Sequence, residues 1–455
     1  MDAVNSQVDL IREVFHYQSR FEGSTMVFKI DYPVTEDPGF PGLVKDLALL
    51  AKTGFKVIIV PGAKENIDTV LKQHDINSSN YVTSIDTAFN SPVRVTTSQT
   101  ISYIEMAAFN VASRFMTFLS GSRVDALIGN FVRARGLGVI KGIDTEHTGT
   151  VDKIYVDSLT RVLNLGMIPI LPCIGWSPSG KPYNVPSDEI ALAVSKALSA
   201  IKLFIIYAHN NSEMKILKIP ENTEKRQDGS LIRLTPAQTE LLINSNKEYF
   251  TENNTGENQY LREFKLGLKA SQAGVHRVHL IDGREEGSIL KELFSNLGAG
   301  TMIYTDEYDS IRAIHSSDLP DILRLMGPLM QKGILIRRNA EQIQEKKDDY
   351  SVLEIDGSIR ACGALHDWGE SQGEIAAVAT DPNYSDLGLG RKIVGCLIEK
   401  ARKNKMLRVF VLTTQSQDWF ESLGFKEASV DSLPEKKRKA YDQNRKSKVF
   451  ALKLE

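Results

Sequence analysis

Apolar positions in this chain follow two rhythms. From about residue 24 to 303, short uninterrupted apolar runs alternate with stretches whose apolar residues recur three and four apart. The runs Met26 to Ile30, Lys56 to Val60, Val124 to Ile128, Ile168 to Leu171, Lys202 to Tyr207 and Arg277 to Ile281 read as strands. Near-continuous apolar runs of this length suit strands covered on both faces. Helical spacing falls near 42–52 and at Ile101 to Phe118, Asp188 to Ser199 and Glu263 to Ala273. The alternation predicts an α/β domain, an open and mainly parallel sheet sandwiched by helices. Between Ile219 and Tyr260 the composition turns polar, as in ENTEKRQDGS and TENNTGENQ, and this segment is expected to be a surface excursion within the domain.

After the segment YTDEYDS the grammar changes. Asp318 stands where it could cap a helix with Ile322, Leu325, Met326 and Leu329 on one face. A hairpin is predicted from Tyr350 to Ile355 and Ile359 to His366 about a turn at Asp356 and Gly357. A strand Glu374 to Thr380, a glycine loop, an amphipathic helix through Ile393, Leu397 and Ala401, and strands Leu407 to Thr413 and Lys448 to Leu454 follow. The expected division is a first domain at 1–303, a linker at 304–310 and an α+β domain at 311–455.

A length of 455 residues exceeds what one hydrophobic core organises, in keeping with two domains. A formal net charge of −2 argues against nucleic acid or an anionic membrane as partner. The start MDAVNSQVDLIREVF lacks the basic end and apolar core of a secretory signal, and no run of 18 apolar residues occurs, so no membrane span is predicted. Cys173, Cys362 and Cys396 are far apart and form no CxxC pair. Neither a disulfide framework nor a metal site is expected, and a reducing cytoplasm fits.

Candidate chemistry centres on the loop Asp381-Pro382-Asn383-Tyr384-Ser385-Asp386-Leu387-Gly388-Leu389-Gly390-Arg391, which joins a strand to a helix. Glycines there allow close backbone approach, and free amides at the helix start favour an anion such as a pyrophosphate. With the order helix, hairpin, strand, GxG helix, strand and then WFESLGF, the second domain resembles the GCN5-related N-acetyltransferase fold. That resemblance implies acetyl-CoA as cosubstrate. Its pantetheine would lie along Ala377, Val378 and Ala379, whose amides near 377 and 378 would polarise the thioester. Its pyrophosphate would rest on Asp386, Leu387, Gly388, Leu389 and Gly390. Two positions depart from the family pattern: Ser385 where Arg or Gln is usual, and Phe420 where a tyrosine often donates a proton.

Longer segments, GILIRRNAEQI, GEIAAVATDPNY, VFVLTTQSQDWFESLGF and SLPEKKRKAYDQNRKSKV, resemble the N-acetylglutamate synthase family, and the first 300 residues resemble its amino-acid kinase domain. The resemblance implies glutamate as acceptor, bound by Arg338, Arg445 and Ser447, with arginines suited to bidentate carboxylate contact. It implies Glu374 as the base that takes the ammonium proton and Thr413 as the hydroxyl serving the leaving thiolate. The remaining cations of EKKRK, Arg438 among them, read as solvated surface charge.

In the first domain Lys29-Ile30-Asp31-Tyr32 and Pro61-Gly62-Ala63-Lys64 lack the glycine pairs that cradle ATP phosphates, so no kinase activity is expected. The segments GVHRVHLIDG, LKELF and GAGT resemble the arginine-binding signature of feedback-regulated members. They imply an L-arginine site at Tyr17, His279, Glu292, Gly298 and Gly300, with Glu292 meeting the effector's cation, and a homo-oligomer, dimer or hexamer. Two other readings remain: an acetyltransferase for another small amine, and a noncatalytic arginine-sensing subunit.

Overall fold

The computed structural model describes all residues except 1–10, 12–13, 16–17, 20, 78–80, 84–91, 210–213, 215, 222, 227–228, 248–258, 295–297, 306–308, 356–357, 383, 385–387 and 455. Tyr17, Ser385, Asp386, Leu387 and the expected turn at Asp356 and Gly357 therefore lie outside the described residues. The chain forms two compact units, 1–306 and 307–455.

The first unit is built on a sheet of β1 (Thr25–Ile30), β2 (Lys56–Pro61), β3 (Ala126–Ile128), β4 (Ile168–Ile170), β5 (Lys202–Tyr207), β6 (Glu224–Lys225), β7 (Leu231–Leu234), β8 (Arg277–Asp282) and β9 (Thr301–Tyr304). Among the described residues its order is β6-β7-β9-β8-β5-β1-β2-β4-β3, parallel except where β6 meets β7 and β8 meets β9. Successive side chains on a strand face opposite ways, so Met26, Phe28 and Ile30 enter one core while Val27 enters the other. Helices α1 (Phe40–Lys52) and α2 (Ile101–Gly121) cover the first face. The second face receives α3 (Ser187–Ala197) and the helix Gln259–Gln272. Phe28 stacks on Phe204 at 4.6 Å across β1 and β5. Fully burying one such ring contributes about 1.5–3 kcal/mol.

The polar stretch from 219 to 260 is more than a surface excursion. It supplies β6 and β7, with β7 pairing parallel to β9, and the helix α4 (Pro236–Ser245). Leu231, Leu234 and Leu242 are fully buried. Thr235 and Gln238 cap α4 reciprocally with Pro236 in its first turn, a start signal that the surrounding charge obscures. A four-stranded sheet formed by 132–136, 149–154, 174–176 and 182–184 was also not foreseen. Its strands are short and carry exposed polar positions.

Helices α5 (Gln259–Gln272) and α6 (Ser288–Phe294) complete the described helical frame of this unit that bears on its sites. The second unit runs β10 (Asp309–Ala313), α7 (Leu319–Gln331), α8 (Ala340–Glu345), β11 (Tyr350–Ile355), β12 (Ser358–Asp367), β13 (Gln372–Thr380), α9 (Leu389–Lys403), β14 (Arg408–Thr413), α10 (Gln417–Glu421), β15 (Lys426–Ala428), α11 (Glu435–Lys439) and β16 (Lys448–Lys453). Its sheet has the order β10-β11-β12-β13-β14-β16-β15, antiparallel except between β13 and β14. Helix α7 packs with Tyr350, Val352, Cys362 and Ala364 on one face; α9 packs with Leu353, Ala361, Leu365 and Val409 on the other. Asp318 precedes α7, but its carboxylate accepts from the His315 amide at 2.7 Å and from Arg312 at 2.6 Å. It closes the turn ahead of the helix rather than capping α7 itself.

Candidate active site

The parallel ladder between β13 and β14 is three rungs long. It joins Gln372 to Arg408, Gly373 to Val409 and Glu374 to Phe410, and there it ends. Strand β13 continues to Thr380 against β12, while β14 continues to Thr413 against β16. The sheet therefore splays open just beyond Glu374, leaving the facing edges of the two strands unpaired with each other. Within the splay, the β12–β13 register slips between the pairs Ala364/Ala376 and Cys362/Ala379, leaving Ala377 and Val378 opposite Gly363. Ala377 adopts φ +54°, a value uncommon for a residue with a Cβ, and the bulge redirects its peptide out of the ladder. Ala377 and Ala379 are buried.

Glu374 sits on the last rung and is buried. Lys437 Nζ donates to both its oxygens, at 2.7 and 2.6 Å, and Trp368 Nε1 donates to Oε2 at 2.8 Å. Lys437 also stands 4.6 Å from the Trp368 ring centre. The solvated reading of EKKRK thus holds for Lys436, Arg438 and Lys439 but fails for Lys437, which is buried.

His366 pairs with Glu374 across β12 and β13. It is buried, and its Nδ1 lies 2.6 Å from Asp349. Burial lowers its proton affinity, against the opposing pull of Asp349 and Glu374; the guanidinium of Arg338 lowers it further. Burial raises the proton affinities of Tyr350 and Cys362, and Arg338 opposes that rise at both. Sequence reasoning passed over His366, Asp349 and Trp368, because nothing in their spacing joins them before the hairpin closes.

Thr413 ends β14, three residues or roughly 10 Å along the strand from the Glu374 rung. Its Oγ accepts the Ser416 amide at 3.0 Å, which leaves its own hydrogen to donate. Thr413 pairs with Lys448, the residue after the buried Ser447. The Ser447 carbonyl accepts from Tyr441 at 2.6 Å. Arg445 donates to the carbonyls of Gly333 and Ile334, tying the C-terminal segment to the chain that leads into Arg338. Arg338 and Arg445 are both half-buried.

At the glycine loop, Gly388 caps α9 with φ +61°, and Leu389 begins the helix and is buried. A Cβ on Gly390 would meet the Trp419 ring at 2.9 Å, so packing alone favours glycine there. Phe420, which cannot donate a proton, is buried against Trp419 and Phe425.

In the first unit, buried Lys29 lies 2.7 Å from Asp31, 3.0 Å from Asp188 and 3.4 Å from Glu263, and His209 approaches Glu263 at 3.4 Å. The three carboxylates raise the proton affinity of Lys29 despite its burial, which keeps it charged. Asp31, His209 and Glu263 are close enough to share a metal ion, but the Lys29 ammonium already lies against two of them. Gly62 packs against Asp31, where an added Cβ would meet Oδ1 at 3.2 Å.

His279 and Glu292 meet at 2.6 Å, and the other Glu292 oxygen accepts the amides of Ala299 at 2.6 Å and Gly300 at 2.8 Å. Burial holds His279 down to about 4, so it is neutral at pH 7, and its Nε2 is buried without a hydrogen-bond partner among the described residues. Burial raises the Glu292 proton affinity, but the bonds from His279 and the two amides outweigh it and keep the carboxylate ionised. Gly298 has φ +62° and would drive a Cβ to 2.4 Å from Glu292, while a Cβ on Gly300 would meet the Leu280 carbonyl at 2.0 Å. Three of the expected effector residues, His279, Gly298 and Gly300, are thus gathered around the carboxylate of a fourth, Glu292.

No helix among the described residues is long and apolar enough to cross a membrane. The amino acid kinase family profile matches residues 33–209, and the acetyltransferase (GNAT) family profile matches 319–425. The amino-acid acetyltransferase of Aliivibrio fischeri is 32% identical over 452 residues, covering 97% of each chain. That of Escherichia coli K12 is 30% identical over 458 residues, covering 98% of each. Among solved structures, the N-acetylglutamate synthase of Neisseria gonorrhoeae complexed with coenzyme A and L-arginine superposes with a TM-score of 0.79 at 31% identity, over 98% of this chain and 99% of that one. The same synthase complexed with coenzyme A and N-acetyl-glutamate gives a TM-score of 0.57 at 32% identity, with the same coverage. With a kinase-like first unit, a splayed acetyltransferase sheet in the second and full-length identity to these relatives, the chain belongs to the amino-acid acetyltransferase family.

Proposed function

We propose that this acetyltransferase moves the acetyl group of acetyl-CoA to the α-amine of glutamate, giving N-acetylglutamate and CoA, and that L-arginine bound to the first unit alters the rate. The observation that carries the reading is Glu374, a fixed carboxylate on the last rung before the sheet splays. The relative crystallised with coenzyme A and N-acetyl-glutamate supports the choice of acceptor.

In this reading the pantetheine arm lies along Ala377, Val378 and Ala379, and the amides at the bulge polarise the thioester carbonyl. Gly388, Leu389, Gly390 and their neighbours Asp386 and Leu387 receive the pyrophosphate at the start of α9. Arg338, Arg445 and Ser447 bind the carboxylates of glutamate. Glu374 accepts a proton from the ammonium, since only the neutral amine attacks. The Thr413 hydroxyl donates toward the departing sulfur.

The first unit serves as the arginine-binding domain. His279, Glu292, Gly298 and Gly300, together with Tyr17, form the effector site, with Glu292 taking the guanidinium. Phosphoryl transfer is not part of the function: Asp31, Asp188 and Glu263 crowd negative charge around Lys29, where a phosphate would be repelled. The chain works as a homo-oligomer, dimer or hexamer, which sedimentation of the full protein with and without arginine tests.

The functional test is release of CoA thiol from acetyl-CoA with glutamate, aspartate, ornithine or no amine. Glutamate-dependent release that arginine changes is expected. Release with ornithine but not glutamate would transfer the function to a different amine, and none at all would indicate a sensing protein.

A further inference from the structure

The proton taken from the acceptor's ammonium has to leave the site, and both oxygens of Glu374 are already engaged. Lys437 donates to both of its oxygens and Trp368 to one. Directly across the β12–β13 pair stands His366. Its Nδ1 is engaged by Asp349 at 2.6 Å; with the carboxylate accepting there, Nδ1 carries the hydrogen and Nε2 the free lone pair. A buried imidazole fixed by a carboxylate on one nitrogen, with a second carboxylate across the ladder, is arranged to gain and lose a proton.

We propose that His366, oriented by Asp349, is the residue to which Glu374 passes the ammonium proton, and so the exit for the proton the reaction releases. The inference rests on the glutamate acetyltransferase reading. The ammonium gives one proton to Glu374, which hands it to Nε2 of His366. The neutral nitrogen forms the C–N bond with the acetyl carbon, and the C–S bond breaks with its electron pair going to sulfur. The second nitrogen proton reaches the thiolate by way of Thr413, giving CoA thiol and the amide. Imidazolium His366 then loses its proton to water, so one proton is released per turnover.

The charged and titratable groups around His366 are Asp349 ahead of β11, Tyr350 on β11, Glu374 on β13, Arg338 ahead of α8, and Lys437 of α11 through its bond to Glu374. Asp349 and Glu374 favour the imidazolium, while burial and Arg338 oppose it. The imidazole is therefore neutral and ready to accept at pH 7, and it is not locked in the charged state. His366 acts through Glu374 and is a positioning and relay residue rather than one that touches substrate.

The test is the pH profile of kcat/KM for glutamate, read by CoA thiol release, in the wild-type protein and in H366Q, D349N and H366A. H366Q should lose turnover on the order of 10²-fold, lose the acidic limb that its imidazole sets, and keep the KM for acetyl-CoA. D349N, a milder change at a half-exposed position, should move that limb to lower pH, because a charge favouring imidazolium is gone. Added imidazole should restore part of the H366A rate. The proposal is overturned if H366Q keeps the wild-type rate and limb, or if the rate falls while limb and imidazole response stay unmoved, which would make His366 a packing residue. If the wild-type protein itself releases no thiol with glutamate, the functional reading fails instead, so the two failures are told apart.

Discussion

Lys437 Nζ lies 2.7 Å from one oxygen of Glu374 and 2.6 Å from the other, with both side chains buried. Two charges withdrawn from water together are tolerable, but one left alone is not. Lys437→Met should destabilise the second unit by about 3–5 kcal/mol and depress glutamate turnover. Exposed Lys436→Met and Lys439→Met should stay within about 0.5 kcal/mol of wild type. Urea melts of the three variants beside the wild type measure this; equal midpoints would refute the special place of Lys437.

Arg338 and Arg445 are assigned to the acceptor's carboxylates, not to CoA. Arg445→Gln removes a charged hydrogen bond worth about 1.5–3 kcal/mol, so KM for glutamate should rise about tenfold or more while KM for acetyl-CoA stays constant. Arg445 also ties the 333–334 carbonyls to the C-terminal segment. Arg338→Gln, which leaves those bonds intact, is the companion variant. A rise in KM for acetyl-CoA instead would assign these arginines to the cosubstrate.

Thr413→Val keeps the shape of the side chain and removes its hydroxyl. Turnover should fall by about 10²-fold, and Thr413→Ser should recover most of it. The Val variant also loses the bond to the Ser416 amide, so its melting temperature is measured alongside. Full activity in a stable Thr413→Val protein would exclude the hydroxyl from thiolate protonation.

Much of this was readable in the chain before its structure. Strands at 202–207, 277–282 and 350–355 each carry apolar residues that the core buries, which fixes them regardless of partners. The strands of the smaller sheet in the first unit escaped because three-residue segments such as Pro182–Asn184 carry too little pattern to separate from loop. For the candidate site, the glycine loop at Gly388 is legible from its place between a strand and a helix, whereas Glu374 and Thr413 were named through the family resemblance. Lys437, Trp368, His366 and Asp349 are legible in neither way: each takes its role from a partner 6 to 63 residues away, brought close only by sheet closure. In the same way, Lys29 is visible as a lysine in a strand, but the three acids that surround it come from the residue just after β1, from α3 and from α5.

The first unit should lose stability in mild acid. His279 is held down to about 4 in the fold by burial, against about 6.5 in the unfolded chain. Between those values the unfolded state binds the extra proton, so stability falls as pH drops from about 6.5 to about 4, by on the order of 3 kcal/mol. Glu292, whose proton affinity is lowered in the fold, adds to the loss in the same direction. Melting temperatures from pH 7 to 4.5 should decline less steeply in His279→Gln than in the wild type; parallel curves would remove His279 as the cause.

Glu292 is assigned to the guanidinium of arginine. Glu292→Gln should abolish the effect of arginine on turnover and leave the rate without arginine unchanged, read by thiol release across an arginine titration. An unaltered arginine response in that variant would move the effector site elsewhere.

The central claim is that the acetyl group ends on the α-nitrogen of glutamate, through a site organised by Glu374. The most direct measurement incubates carbon-13 acetyl-CoA with glutamate and the full-length protein, wild type or Glu374→Gln, and follows the product by mass spectrometry and NMR. The account predicts N-acetylglutamate bearing the label on its α-amide, formed by the wild type and slowed by about 10²-fold or more in Glu374→Gln. Label on no product, or equal rates in the two proteins, would contradict it.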